Sequence, residues 1–295
     1  MITQQRKKLK NASSIQEPIT ESCDDMRTTI PISYKDIPSM EKPKAIFITG
    51  APGSGKTFLM TQILPADFKY AFYNADLYQE HLLKVNGLLG NKTRENAIRQ
   101  ELKAENPKAT EEALDKLTQS RIASIIATSM AISQKCIRED FDEMVSKKLP
   151  IVIDRPGDRT STVTADRKFL EKAGYQVMMI MVYVSPITAL QRNQRRDRHV
   201  HPPRILESWI GCIKNIATYK KAFGENFFLI HNDSMPFEIT ASDLESYLPS
   251  SQQPIKQIQN LMKKPYDFSS IDTIRQAIRL FLEQKGGKQE AKNKK

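Results

Sequence analysis

Short apolar runs alternate with stretches whose apolar residues recur at helical spacing. Ala45-Ile46-Phe47-Ile48-Thr49, Tyr70-Ala71-Phe72-Tyr73, Pro150-Ile151-Val152-Ile153-Asp154, Gln176–Val184 and Phe227–His231 have the length and apolar content of strands buried on both faces. Between them, Phe58–Leu64 is a helix stopped by Pro65. A charged helical stretch follows Asp76 and is interrupted near Asn106-Pro107. Residues 110–148 show an apolar face through Leu114, Leu117, Ile122, Ile125 and Ile126. Ser161–Ala173 ends at Gly174, Ile187–Arg198 is strongly basic, and Leu206–Phe223 stops at Gly224. Strands alternating with helices predict an α/β fold: a mainly parallel sheet flanked by helices in three layers.

The pattern weakens at both ends. Residues 1–43 are polar without sustained period and read as a disordered or loosely docked extension. The folded domain is expected over 44–250. Residues 251–295 read as a linker, an amphipathic helix and a basic tail. Ser270 is placed to cap that helix, with Ile271, Ile274, Ile278, Phe281 and Leu282 on one face. It is expected to dock on the domain or on a protein partner that the sequence does not name.

Composition narrows the classes. The chain has 295 residues, room for one large α/β domain or two small ones. Its longest wholly apolar run, Val177–Val184, is far short of the ~20 residues of a membrane span. The start, MITQQRKKLKNASS, has no apolar core of a secretion signal. Cys23, Cys136 and Cys212 lie far apart, and an odd, sparse set fits a reducing compartment better than a disulfide scaffold. A cytoplasmic protein that does not enter membranes is the expectation.

The formal net charge is +11, which suits a polyanionic ligand. Residues 284–295 hold five Lys and one Glu, and residues 192–204 hold five Arg and one Asp. The first block reads as a solvated tail; the second lies inside the folded region and calls for an anion.

The first strand supplies one. It runs into Gly50-Ala51-Pro52-Gly53-Ser54-Gly55-Lys56-Thr57, a complete phosphate-loop pattern between a strand and a helix. Phosphate oxygens must approach main-chain N–H groups closely, which favours glycine. The helix that follows turns its positive dipole end to the anion. In this pattern Lys56 reaches the β- and γ-phosphates of a nucleoside triphosphate, and the Thr57 hydroxyl ligates Mg²⁺. ATP and Mg²⁺ are the expected cofactors. A guanine-reading Asn-Lys-x-Asp motif is not seen.

Ligands of open α/β sheets sit beyond the carboxyl ends of the strands. Asp76 and Asp154 are predicted there, one to accept a proton from an attacking hydroxyl, the other to help hold Mg²⁺. Alternatively, Asp76 caps its own helix, or Asp154 pairs with Arg155 or Arg159. Arg192, Arg195 and Arg196 share a helix face, and a mobile basic segment closing over the γ-phosphate would exclude water and stabilise charge. A solvated basic helix or a nucleic-acid surface is the plainer alternative.

The order GAPGSGKT, a strand ending Asn74-Ala75-Asp76, a long helix, IVIDRPGDRT and then RNQRRDRHVHP resembles the zeta toxin family of P-loop kinases over residues 44–233. That resemblance implies ATP- and Mg²⁺-dependent phosphorylation of a hydroxyl on a nucleotide sugar. It implies Asp76 as general base and Asp154, Arg159 and Thr160 near the acceptor. It also implies Lys56, Arg192 and Arg198 as catalytic groups on the ATP phosphates. The Gly157-Asp158-Arg159-Thr160 turn resembles the family's Gly-Arg-Thr with Asp158 inserted, so the acceptor pocket is expected to differ. The leading expectation is therefore a kinase acting on a small-molecule hydroxyl. A nucleic-acid-associated ATPase or polynucleotide kinase is the alternative that the net charge motivates. A non-catalytic ATP-binding interaction protein is the third.

Overall fold

A computed structural model describes residues 21–30, 34, 36–89, 93–196, 200–233, 244, 247 and 255–284. In chain order the elements are α1 (Cys23–Thr29), β1 (Lys44–Thr49), α2 (Lys56–Ile63), β2 (Ala71–Tyr73), α3 (Ala75–Val85), α4 (Thr93–Glu105) and α5 (Glu111–Ser146). They continue as β3 (Ile151–Arg155), α6 (Thr160–Lys172), β4 (Gln176–Tyr183), α7 (Pro186–Gln194), α8 (Pro202–Phe223), β5 (Phe227–His231), α9 (Ile255–Met262) and α10 (Ile271–Glu283). They fall into two compact units, Ser33–Tyr73 with Phe141–Lys295, and Met1–Ile32 with Asn74–Asp140.

The first unit is built on a five-stranded sheet of order β2-β3-β1-β4-β5. All four pairings are parallel. β1 pairs with β3 through Ile46↔Val152 and with β4 through Ile46↔Met178. All six residues of β1 are buried, as a central parallel strand requires. After β1 the chain runs to the β2 side of the sheet, and after β4 it runs to the β5 side. The connections leaving these two neighbours diverge, which opens a crevice at their carboxyl ends.

One face of the sheet carries α2 and α10. Ile46, Ile48, Val152, Ile180 and Ile230 pack there with Leu59, Ile63, Ile274, Ile278 and Phe281. Ser270 caps α10, its hydroxyl accepting from the Thr273 N–H at 3.0 Å. The Arg275 Nε donates to the Gln62 carbonyl at 2.7 Å, taking up a terminal carbonyl of α2. The amphipathic C-terminal helix thus docks on the sheet unit itself. Lys44, buried at the start of β1, donates to Gln176 and to the Gln284 carbonyl and lies over the Phe281 ring, and burial lowers its pKa.

The second unit is helical. Tyr78, Leu82 and Leu83 of α3, Ile98 of α4 and Leu114, Ile125 and Ile137 of α5 are buried. Charged pairs lace α4 to α5: Arg99 meets Glu111 and Asp115, and Lys103 lies 3.3 Å from Glu111.

Three expectations are corrected. Cys23 and Cys136 form a disulfide, leaving Cys212 as the buried free cysteine, so the thiols are not the unpaired set that their spacing implied. Helix α1 lies in the stretch read as a disordered or loosely docked extension and is docked, and α9 lies in the stretch read as linker. The basic helix stops at Gln194 rather than Arg198. Asn193 bonds the Val200 backbone in both directions, 2.8 and 2.9 Å, which draws the chain out of the helix. Among the described residues, no helix is long and apolar enough to cross a membrane.

Candidate nucleotide site

The loop 50–57 joins β1 to α2 at the crevice between β1 and β4. Gly53 and Gly55 hold φ of +81° and +82°, where side-chain-bearing residues are strained. Space is short as well. A Cβ on Gly53 would run into the Ala189 carbonyl, and one on Gly55 would lie 2.6 Å from the Asn232 side chain. The glycines are thus required twice over, by backbone conformation and by the neighbours that press on the loop.

Those neighbours form a brace. Asn232, just beyond β5, donates from Nδ2 to the Ser54 carbonyl at 2.8 Å, and its own N–H bonds the Tyr183 carbonyl at 2.8 Å. Arg192 of α7 donates to the Ser54 carbonyl at 3.3 Å and to the Asn232 carbonyl at 2.8 Å. A carbonyl pointed away from the cradle and clasped from behind leaves main-chain N–H groups to face an anion. Arg192 therefore holds the loop in this structure. Arg195 and Arg196 are exposed at the end of α7. Arg198 lies outside the described residues. Asn232 was missed by sequence reasoning; its only signal is its place directly after the last strand.

Lys56, the first residue of α2, donates to the Gly50 carbonyl at 3.2 Å and stands 3.7 Å from Asp154 at the end of β3. Asp154 is thus paired with the loop ammonium rather than with Arg155 or Arg159. Thr57 is exposed in the first turn of α2. The Ser54 hydroxyl is buried beneath the loop without a hydrogen-bond partner. Among the described residues, no group of three or more His, Cys, Asp or Glu is arranged to hold a metal. Mg²⁺ ordinarily keeps few protein ligands and comes in with phosphates, and a cradle of glycines followed by one hydroxyl and a nearby carboxylate suits that mode.

The 155–160 turn is pinned by α8. The Tyr219 hydroxyl donates to the Gly157 carbonyl at 3.0 Å, and Asn215 reaches the Gly157 and Asp158 carbonyls at 3.1 and 3.0 Å. Arg204 pairs with the buried Asp158 carboxylate at 2.8 Å. Gly211 lets α8 approach, since a Cβ there would meet the Asp158 Cβ at 2.9 Å. Cys212 lies against this turn, its thiol pushed up to about 12 by burial and by the Asp158 charge. Arg159 is exposed and occupies the N-cap of α6, with Thr160 its first residue. Arg155 is anchored instead, its guanidinium 2.7 Å from Asp166 and over the Tyr73 ring.

Asp76 belongs to the helical unit. It lies in the first turn of α3, three residues after β2 ends, and its N–H is capped by the Asn74 side chain at 2.8 Å. Capping is thus done by Asn74, not by Asp76.

A model of the zeta toxin family matches residues 29–139, which takes in the loop, Asp76 and most of α5. Over this stretch the chain is similar to the zeta toxin family. Among solved structures, the chain is similar to the PezAT chromosomal toxin–antitoxin system of Streptococcus pneumoniae, at 13% identity and a TM-score of 0.46, over 90% of this chain and 99% of that one. It is similar to an AvrRxo1-ORF1:-ORF2 complex with ATP, at 12% identity and a TM-score of 0.44, over 86% of each chain. A putative kinase from Chloroflexus aurantiacus aligns at 13% identity and a TM-score of 0.35, over 82% of this chain and 100% of that one. These likenesses are too distant to give any residue a role. No curated protein matches by sequence. The family match, together with the braced loop on a parallel sheet, supports an ATP-dependent kinase.

Proposed function

We propose that the protein transfers the γ-phosphoryl group of ATP to a hydroxyl of a small molecule, a nucleotide sugar in the reading that the family likeness favours. The observation that carries it is the glycine loop whose Ser54 carbonyl is clasped by Arg192 and Asn232 while Lys56 stands beside Asp154. In this reading the loop N–H groups and Lys56 bind the triphosphate. Magnesium carried with the nucleotide, held by Thr57, supplies neutralising charge. Asp154 keeps the Lys56 ammonium poised until phosphate takes its place. Asp76, at the start of α3, accepts the proton of the attacking hydroxyl. Arg159 and Thr160, at the start of α6, contact the acceptor, and Arg198 contributes charge to the ATP phosphates. Alignment and fixed charge supply most of the acceleration, as in phosphoryl transfer generally.

The test is γ-labelled ATP with Mg²⁺ over a panel of nucleotide sugars, nucleosides, small alcohols and oligonucleotides. Label appearing on a nucleotide sugar is the expected result. Label on oligonucleotides alone would replace it with the polynucleotide-kinase reading. Asp76→Asn should abolish transfer while leaving ATP affinity nearly unchanged; turnover that survives it would remove Asp76 as base.

A further inference from the structure

Helix α1 has seven residues, too few to persist without tertiary support. Among the described residues its supports are of three kinds. Met26 is fully buried, and Ile30 just beyond the helix nearly so. Arg27 is chelated, its Nε 2.6 Å from Asp140 and its Nη2 3.4 Å from Glu139, both on α5. The Cys23 sulfur is bonded to that of Cys136, also on α5.

Asp140 makes this docking consequential. It is fully buried and takes a hydrogen bond from the Tyr78 hydroxyl of α3 as well as from Arg27. Burial works against the Arg27 charge, but the Asp140 contact outweighs it and raises its pKa; burial and Asp140 together raise that of Tyr78. A buried carboxylate depends on its cation. The place of α1 is thereby coupled to α3, which also meets the chain before α1 through His81 and Glu21 at 2.7 Å.

The two cysteines differ in access. Cys136 is fully buried, whereas Cys23 is partly exposed on the outer helix. A disulfide with one cysteine on a partly exposed outer helix is of the kind open to exchange, unlike one buried at both ends.

We propose that the Cys23–Cys136 disulfide is a redox latch that fixes α1 on α3 and α5, and that a dithiol reductant opens it. A thiolate of the dithiol attacks the Cys23 sulfur and the bond to Cys136 breaks. The second thiol of the reductant then displaces Cys23, so that the dithiol is oxidised to a disulfide while Cys23 and Cys136 take up two electrons and two protons. With the latch open, α1 keeps non-covalent supports such as Met26, Ile30 and the Arg27 ion pairs. Its exchange with undocked states takes Arg27 from Asp140 and loosens α3, the helix whose first turn carries Asp76.

The test compares the full chain purified in air with the same protein treated with dithiothreitol, by amide hydrogen exchange. Thiol counting should rise from one to three on reduction. Exchange in residues 21–30 should then speed up at least tenfold, with a smaller acceleration in α3. Cys23→Ser should show the fast exchange without reductant and no longer respond to it, while Cys212→Ser should respond like the parent. Three free thiols in the untreated protein would overturn the latch, as would exchange in residues 21–30 that changes less than twofold after complete reduction. Unaltered exchange in β1 and β4 on reduction is the check that the fold is intact. The readout is exchange, not transfer, so the result stands apart from the kinase reading.

Discussion

The two units of the molecule solve the same problem with different chemistry. The sheet unit buries β1, β4 and most of β3 under apolar side chains from α2 and α10, and its stability comes from that burial. The helical unit is polar along much of α4 and α5 and adds a disulfide, a buried Arg–Asp–Tyr cluster and surface ion pairs. Surface pairs contribute little. The covalent link and the buried cluster therefore matter more there than any comparable contact in the sheet unit. The sheet unit carries the glycine loop; the unit with the disulfide carries Asp76.

Substitutions can break this contrast in order of effect. Lys56→Ala should lower kcat/KM for transfer by about 10³-fold or more, comparable to removing a charge-stabilising donor elsewhere, with little change in melting temperature; steady-state kinetics beside a thermal melt would show it. Cys23→Ser removes a cross-link spanning 113 residues of sequence and should cost about 5 kcal/mol of unfolding free energy on the chain-entropy estimate. Denaturation followed by far-UV circular dichroism checks it, and the loss should fall on the helical signal first. Gly53→Ala puts a side chain at positive φ against the Ala189 carbonyl and should cost about 1–3 kcal/mol together with loss of ATP binding, read by calorimetry.

The smallest effect is a pH response. Tyr175, Tyr183 and Tyr219 of the sheet unit, and Tyr78 of the helical unit, are all raised above the ordinary phenol value of 10.0, with burial as the leading cause. A group raised on folding contributes stability that is complete below its unfolded pKa and is lost as pH climbs through the folded one. Melting temperature should hold up to about pH 10 and fall above it, with tyrosinate absorbance delayed until unfolding. Tyr219→Phe, which removes the bond to the Gly157 carbonyl, should shift stability near neutral pH by about 1 kcal/mol.

The strands were legible because each is an apolar run bounded by a breaker, and the loop because its glycines, lysine and threonine are contiguous. Asp154 was legible only as a carboxylate at the end of a strand; that it stands 3.7 Å from Lys56 was not, because the two are about a hundred residues apart. What escaped notice depends on partners far apart in sequence. Cys23 and Cys136 are separated by 113 residues, and no local pattern announces their bond. Helix α1 is a short polar heptad whose burial rests on Met26 and Arg27. The Asn232 brace and the clasp of Arg204, Asn215 and Tyr219 on the 157–158 turn consist of single polar residues with no periodicity. The basic segment was read as one helix because its charges repeat at helical spacing, whereas the Asn193–Val200 bonds end it at Gln194.

The central strand has a consequence for synthesis. β1 is made early, yet both of its neighbours, β3 and β4, come more than a hundred residues later, and the asparagine that steadies the loop is made later still. A nascent chain leaving the ribosome therefore carries the whole glycine motif long before the strands and side chains that hold it in place. The brace on the loop can close only once residue 232 has been made.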